Sequence, residues 1–122
     1  MKNALAALSF VGFGLVSSAA QAQGPQYVAD FIVKTDAGEH KYHAEPESPV
    51  VIPVSASWTC VANTYAASPG HSFAGSWSCF LNGDTDHPAV AYANSESPFS
   101  MMMLREDKMH DIYLGVGIKR AN

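Results

Sequence analysis

The sequence predicts an all-β fold, a small antiparallel sandwich or barrel of about seven short strands with one cross-strand disulfide, after a cleaved signal peptide. Three observations predict it. Two matched tripeptides, W-T-C at residues 58–60 and W-S-C at residues 77–79, contain both cysteines and both tryptophans of the chain. Apolar and polar residues alternate with a period of two in most segments. Turn residues recur between these segments at short intervals.

The chain begins with a predicted signal peptide, residues 1–22. Lys2 supplies a positive n-region, residues 4–16 are mostly apolar, and Ala-Gln-Ala at residues 20–22 forms a small-residue cleavage site. We expect the mature protein to be a single β domain, residues 23–122. The apolar run is too short for a transmembrane helix, so no membrane anchor is expected. These features predict a bacterial protein that is periplasmic or secreted.

The two tripeptides are predicted to face each other across an antiparallel hairpin. The midpoint between Cys60 and Cys79 falls at Pro69-Gly70, the strongest turn signal nearby. A hairpin centred there sets the cysteines opposite each other, and in an exported protein they are expected to pair. The bridge contributes roughly 3 kcal/mol in the chain-entropy model. Because a Pro-Gly type II turn suits a two-residue hairpin poorly, we expect a wider loop at residues 66–72.

Side-chain alternation supports the same hairpin register. With the cysteines opposite each other, Trp77 lies opposite Ala62 and Trp58 lies opposite Leu81. One face is then apolar and the other carries mainly hydroxyl groups, which is typical of an antiparallel sheet with one solvated face. The first arm is interpreted as one continuous strand, with its apolar face running from Ile52 to Ala62.

The remaining segments are predicted as further strands and turns. The strands on either side of the central hairpin are short, and proline, glycine or charged residues separate them. The expected strands are residues 27–34, 39–44, 89–93, 100–104 and 111–119, with turns or loops at residues 35–38, 45–49, 82–88, 94–98 and 105–108.

Charge excludes some classes of partner. The whole chain has a formal net charge of −4, and removal of the signal with Lys2 leaves six basic and eleven acidic residues, a net charge of −5. The basic residues form no cluster. Nucleic acid and acidic membrane surfaces are therefore not expected partners, because both bind clustered Lys and Arg. No cofactor is expected, and no group of residues is specific enough to predict an enzyme.

Methionine and histidine near the C-terminus provide a metal-binding alternative. Met101, Met103, Met109 and His110 carry thioether and imidazole groups, the ligands that select copper(I). Consecutive methionines in a strand alternate, so Met101 and Met103 share one face while Met102 takes the other. Methionine also fills irregular cores, and packing is the favoured interpretation.

Five further residues are weaker candidates for binding. Trp58 and Trp77 share a sheet face and could stack on sugar rings, although the same side chains could form the core around the disulfide. His71 lies in the loop of the central hairpin. Asp84 and Asp86 could bind calcium weakly, but their spacing does not match a calcium-binding loop, and a solvated hairpin end is the favoured interpretation.

The function predicted by elimination is binding through the protein surface. A small, acidic, disulfide-tied β module outside the cytoplasm is expected to bind a protein or a glycan of the cell envelope. A concrete version is a periplasmic hydrolase inhibitor or immunity-type protein, with the loops at residues 45–49, 66–72 and 83–88 presenting the contacts. The alternatives are the copper-binding protein above and a glycan-binding or envelope structural module. The sequence does not determine the oligomeric state.

Overall fold

A computed structural model describes residues 26–121, which form eight β-strands. The predicted signal peptide lies outside these residues. Among residues 26–121, no helix is long and apolar enough to cross a membrane. The strands are β1 Tyr27–Thr35, β2 Gly38–His43, β3 Val50–Pro53, β4 Trp58–Tyr65, β5 Ala74–Leu81, β6 Ala89–Asn94, β7 Phe99–Arg105 and β8 Asp111–Arg120.

The strands form two antiparallel sheets of four strands each, which confirms the predicted all-β class. One sheet has the order β2-β1-β8-β7 and contains every Asp, Glu, Lys and Arg that lies in a described strand. We name it the charged sheet. The other has the order β3-β4-β5-β6, and none of the residues in these four strands is charged. We name it the uncharged sheet. Inward side chains of both sheets form one hydrophobic core between them.

The central hairpin has the predicted register. Cys60 pairs with Cys79, Trp77 with Ala62, and Trp58 with Leu81. The two cysteines form a disulfide across these neighbouring strands, with their Cα atoms 4.0 Å apart. The loop between β4 and β5 is wide, as predicted, although within it Ser68 and His71 form an antiparallel bridge directly across Pro69-Gly70.

The first arm of this hairpin differs from the prediction, because it is two strands. β3 ends at Pro53, and β3 pairs antiparallel with β4, with Ile52 opposite Cys60. Proline has no N–H to continue a ladder. The Ser55 hydroxyl then accepts hydrogen bonds from the backbone N–H groups of Ser57 and Trp58, which stabilises a tight reversal. The chain therefore folds back on itself and adds a fourth strand to the uncharged sheet.

Trp77 links the two sheets at the centre of the core. Its side chain is fully buried, and its indole Nε1 donates a 2.7 Å hydrogen bond to the backbone oxygen of Gly115 in β8. Phe31 of the charged sheet meets it edge-on, with ring centroids 5.4 Å apart. Such a T-shaped contact is favourable beyond the area that it buries. This indole therefore fixes how the sheets lie against each other.

Candidate binding surfaces

The tryptophans do not form an exposed platform for sugar rings. Trp77 lies in the core, and Trp58 is half-buried, with its Nε1 donating to the backbone oxygen of Arg105 at 3.3 Å. Both indoles are turned toward the opposite sheet. Of the two interpretations of these residues, packing around the disulfide is the one that their positions support.

Asp84 and Asp86 lie in an exposed loop that is held by its own hydrogen bonds. Asn82 and Gly83 both have positive φ, at 53° and 78°, and Asp84 N–H donates to the oxygen of Leu81 to close the turn. The Asp84 carboxylate accepts from the Asp86 N–H and contacts the His87 ring. No group of three His, Cys, Asp or Glu that could hold a metal occurs among residues 26–121. A solvated hairpin end accounts for this arrangement.

The four candidate copper ligands come from two different elements. Met101 and Met103 project from the outer face of β7, while Met109 and His110 lie in the loop before β8. As predicted, Met102 points inward and packs against the core. The His110 ring is bound through Nδ1 to the Asp107 carboxylate at 2.8 Å, and its Nε2 lies 3.5 Å from Asp36. Both ring nitrogens therefore face hard carboxylate oxygens, which suit protonated imidazole better than copper(I).

Interactions between His110 and these carboxylates shift pKa values in the loop before β8. The hydrogen bond that the His110 ring donates to the Asp107 carboxylate, followed by the charge of that carboxylate, raises the pKa of His110 above its ordinary value. The backbone N–H of Met109, followed by the His110 ring, lowers the pKa of Asp107. The neighbouring Glu106 accepts from the hydroxyls of Ser55 and Ser57. The loop before β8 is thus tied to the β1–β2 turn and to the β3–β4 loop at one end of the sandwich.

The loops predicted to present contacts lie at both ends of the sandwich. Residues 45–49 and 66–72 lie at the end where Pro46 bridges to Thr64 and where β4 leaves the sheet. Residues 83–88 follow Leu81, which pairs with Trp58 at the opposite end. The three loops therefore cannot form one continuous contact surface. Large exposed apolar side chains lie mainly on the outer faces of the sheets instead.

The first such surface is on the charged sheet, and we name it the methionine face: Phe99, Met101, Met103, Tyr113 and Gly115. In the β7–β8 register Met103 lies opposite Tyr113 and Met101 lies opposite Gly115. Phe99 and Met101 are 61% and 56% exposed. A Cβ built on Gly115 would make ordinary van der Waals contacts of 3.8 Å with Met101 and Phe99, so the glycine leaves room for about one methyl group at the floor between these side chains. A groove of about 430 Å³ lies over Met101, Tyr113 and Gly115 of this face.

Charged side chains border one end of this groove. Lys34 and Glu39 line it, while Ile32 lies beside Gly115 and completes its apolar wall. The sequence alone placed Met101 and Met103 on a shared face but did not connect them with Phe99, Tyr113 or Gly115. The pattern that could have connected them is the period of two in β8, which places Tyr113 and Gly115 on its outward face.

The second surface is on the uncharged sheet, where two tyrosines stand on either side of β5. Tyr65 of β4 lies opposite Ala74, and Tyr92 of β6 lies opposite Ser76. Ala74 and Ser76 point outward, yet they are only 2% and 5% exposed. A cavity of about 420 Å³ lies here, and His71 contributes to its wall. His71 is the one weak candidate from the sequence that the structure places at a cavity with exposed aromatic rings.

A scan against models of protein families found no matching family, and searches of curated proteins and of solved structures likewise found no similar protein.

Proposed function

We propose that this protein is an exported binding protein that acts on another protein through the methionine face. The observation that supports this proposal is the grouping of exposed Phe99, Met101, Met103 and Tyr113 over the glycine floor. Aromatic residues and methionine are enriched at the centres of protein interfaces, where charged residues are depleted. Flexible thioethers also adapt to the shape of an apolar partner.

The position of these residues on an edge strand supports a protein as the occupant. β7 ends the charged sheet, so along one side its backbone N–H and C=O groups point away from β8. At the other edge of this sheet, β2 carries Glu39 and Lys41, which discourage pairing with another chain. β7 has no charged residue before Arg105. An extended segment of a partner could therefore add to β7 while its side chains contact the methionine face.

The groove specifies the chemistry of a second part of the partner, because it lies over β8 and β1, two and three strands away from a segment added to β7. An apolar side chain would occupy the space above Gly115, between Met101 and Ile32. Flanking residues of both charge signs would meet Lys34 and Glu39 at the rim. A hydrolase of the same compartment is the partner class that we propose, with this protein as its inhibitor or immunity-type protein. The disulfide is compatible with the periplasmic or secreted location that this proposal requires.

The test begins with site-directed cross-linking. Mature protein with a photo-reactive residue in place of Met103 is irradiated in an envelope extract, and the captured protein is purified and identified. Its affinity is then measured by calorimetry for the wild type and for Met101→Asp. A buried carboxylate in an apolar contact should weaken binding about 30-fold or more.

Val90→Asp is the matched control. Val90 is 55% exposed, almost the same as Met101, but it lies on the outer face of the uncharged sheet. The proposal requires this variant to keep its affinity. Equal losses in the two variants would contradict it. A dimer of the protein alone that Met101→Asp abolishes would also overturn it, because the occupant would then be a second copy.

A further inference from the structure

We propose that the cavity between Tyr65 and Tyr92 is a binding site for a neutral saccharide. This site is separate from the methionine face, which lies on the other sheet. We name it the tyrosine pocket: Tyr65, Tyr92, Ala74, Ser68, His71 and Ser72.

The pocket has aromatic walls and a polar rim. Tyr65 and Tyr92 are about half exposed, so their rings are available to a ligand. Between them Ala74 forms a flat apolar floor, and the Tyr65 hydroxyl lies 3.4 Å from the Ser76 hydroxyl. Aromatic rings that are apolar in the middle and hydrogen-bonding at the tip suit the alternating C–H and O–H groups of a sugar ring. At about 420 Å³ the cavity is within the range of small-molecule sites.

A fixed turn closes one end of the pocket. Ser68 and His71 exchange two backbone hydrogen bonds, of 3.1 and 2.8 Å, across Pro69-Gly70. Gly70 has a φ of 82°, which a glycine adopts without strain. The turn places His71 and Ser72 beside the tyrosines. A ligand would therefore meet a backbone that is already ordered at this end of the pocket, which lowers the entropic cost of binding.

The charges in and around the tyrosine pocket favour a neutral ligand. Among the residues that line the pocket there is no Asp, Glu, Lys or Arg. The closest charged partner in the hydrogen-bond network is Glu96, whose carboxylate accepts from the Ser72 hydroxyl at 3.4 Å. This negative charge disfavours anionic sugars, and the lining has no Lys or Arg to offset it. A polyhydroxylated, uncharged ring is the ligand class that matches these groups.

Titration with two sugar probes tests this assignment. Isotope-labelled mature protein is followed by NMR during addition of cellotriose, as the neutral probe, and of trigalacturonic acid, as the anionic probe. Cellotriose should shift the signals of Tyr65, Ser76 and Tyr92, while the anionic sugar should leave them unchanged. An absence of shifts with cellotriose, or shifts scattered over the surface, would overturn the assignment.

Tyrosine variants give the second readout. Tyr92→Ala should weaken binding of cellotriose about tenfold, because one stacking surface is lost. Tyr113→Ala removes an exposed tyrosine from the methionine face and should leave this affinity unchanged. Equal effects of the two variants would contradict the tyrosine pocket. Met101→Asp should also leave sugar binding intact, so a failure of the proposed protein partner and a failure of this site are distinguishable.

Discussion

The charged and uncharged sheets contribute similar inward faces to one core, whereas their outward faces differ in chemistry. On the charged sheet, charged residues lie on β1 and β2 and near the ends of β7 and β8, and the large exposed apolar side chains are grouped on β7 and at Tyr113 of β8. On the uncharged sheet, valines, tyrosines and hydroxyl groups are spread over all four strands. We infer from this difference that the apolar patch with charged residues at its rim favours a protein partner, whereas the uncharged surface with aromatic walls favours a neutral ligand.

The largest expected effect is on the contact that joins the two sheets. Trp77→Ala removes a fully buried indole and its hydrogen bond to Gly115, so we expect a loss of about 3–5 kcal/mol in the free energy of unfolding. Urea unfolding measures this loss. Trp58→Ala is the control, because Trp58 is only half-buried and its removal should cost less. Equal losses would show that Trp77 has no special role between the sheets.

Alanine substitutions at two glycines compare how tightly the core and the groove are packed. A Cβ at Gly75 in the uncharged sheet would lie 3.0 Å from Val116 and 3.2 Å from both Ala29 and Phe31. We therefore expect Gly75→Ala to destabilise the fold by about 1–3 kcal/mol. Gly115→Ala meets only ordinary contacts, so its stability should remain close to that of the wild type.

The same pair of variants separates stability from binding. The methyl group of Gly115→Ala would occupy the floor of the methionine face and should weaken capture of the protein partner. Thermal unfolding and the binding calorimetry described above measure the two effects. A Gly115→Ala variant that unfolds as readily as Gly75→Ala would contradict this separation.

The smallest expected effect is a pH dependence at the end of the charged sheet. His110 has a raised pKa, so its contribution to stability is fully present below the unfolded value of 6.5 and is lost as the pH rises through the higher folded value. Asp107 has a lowered pKa, so its contribution is present above 3.8 and is lost as the pH falls through the folded value. The interaction should therefore be strongest between these two ordinary values.

NMR titration of the imidazole checks this prediction directly. Asp107→Asn should move the pKa of His110 back toward its ordinary value, because the hydrogen-bonded carboxylate is the largest cause of the shift. The stability difference between wild type and His110→Gln should be present below pH 6.5 and should decrease at alkaline pH. The opposite trend would show that Asp36 and Asp107 do not hold the protonated ring.

The local residue pattern predicted the central hairpin because the two paired strands are close together in the sequence. Alternation of side chains fixed the pairing of Trp77 with Ala62, and the cysteines fixed the centre of the hairpin. The break after Pro53 was missed, because the apolar alternation continues through Val54 even though the ladder cannot.

The candidate sites were harder to predict, since each depends on strands that are brought together. The tyrosine pocket combines Tyr65 and Tyr92 on opposite sides of β5, and no pattern in the sequence connects these two residues. The methionine face needs Ile32 of β1 beside Gly115 of β8. By contrast, the position of Met101 and Met103 on one face followed from the period of two alone.

The all-β class, the disulfide and the hairpin register follow from the sequence alone, because they depend on alternation and on pairing between neighbours in the chain. The pairing of β1 with β8, and the location of all strand charges on one sheet, are visible only in the tertiary structure. Such pairings join distant parts of the chain, and the packing of a shared core around Trp77 selects them. The two outer surfaces that we propose as binding sites form because this core packing brings their strands together.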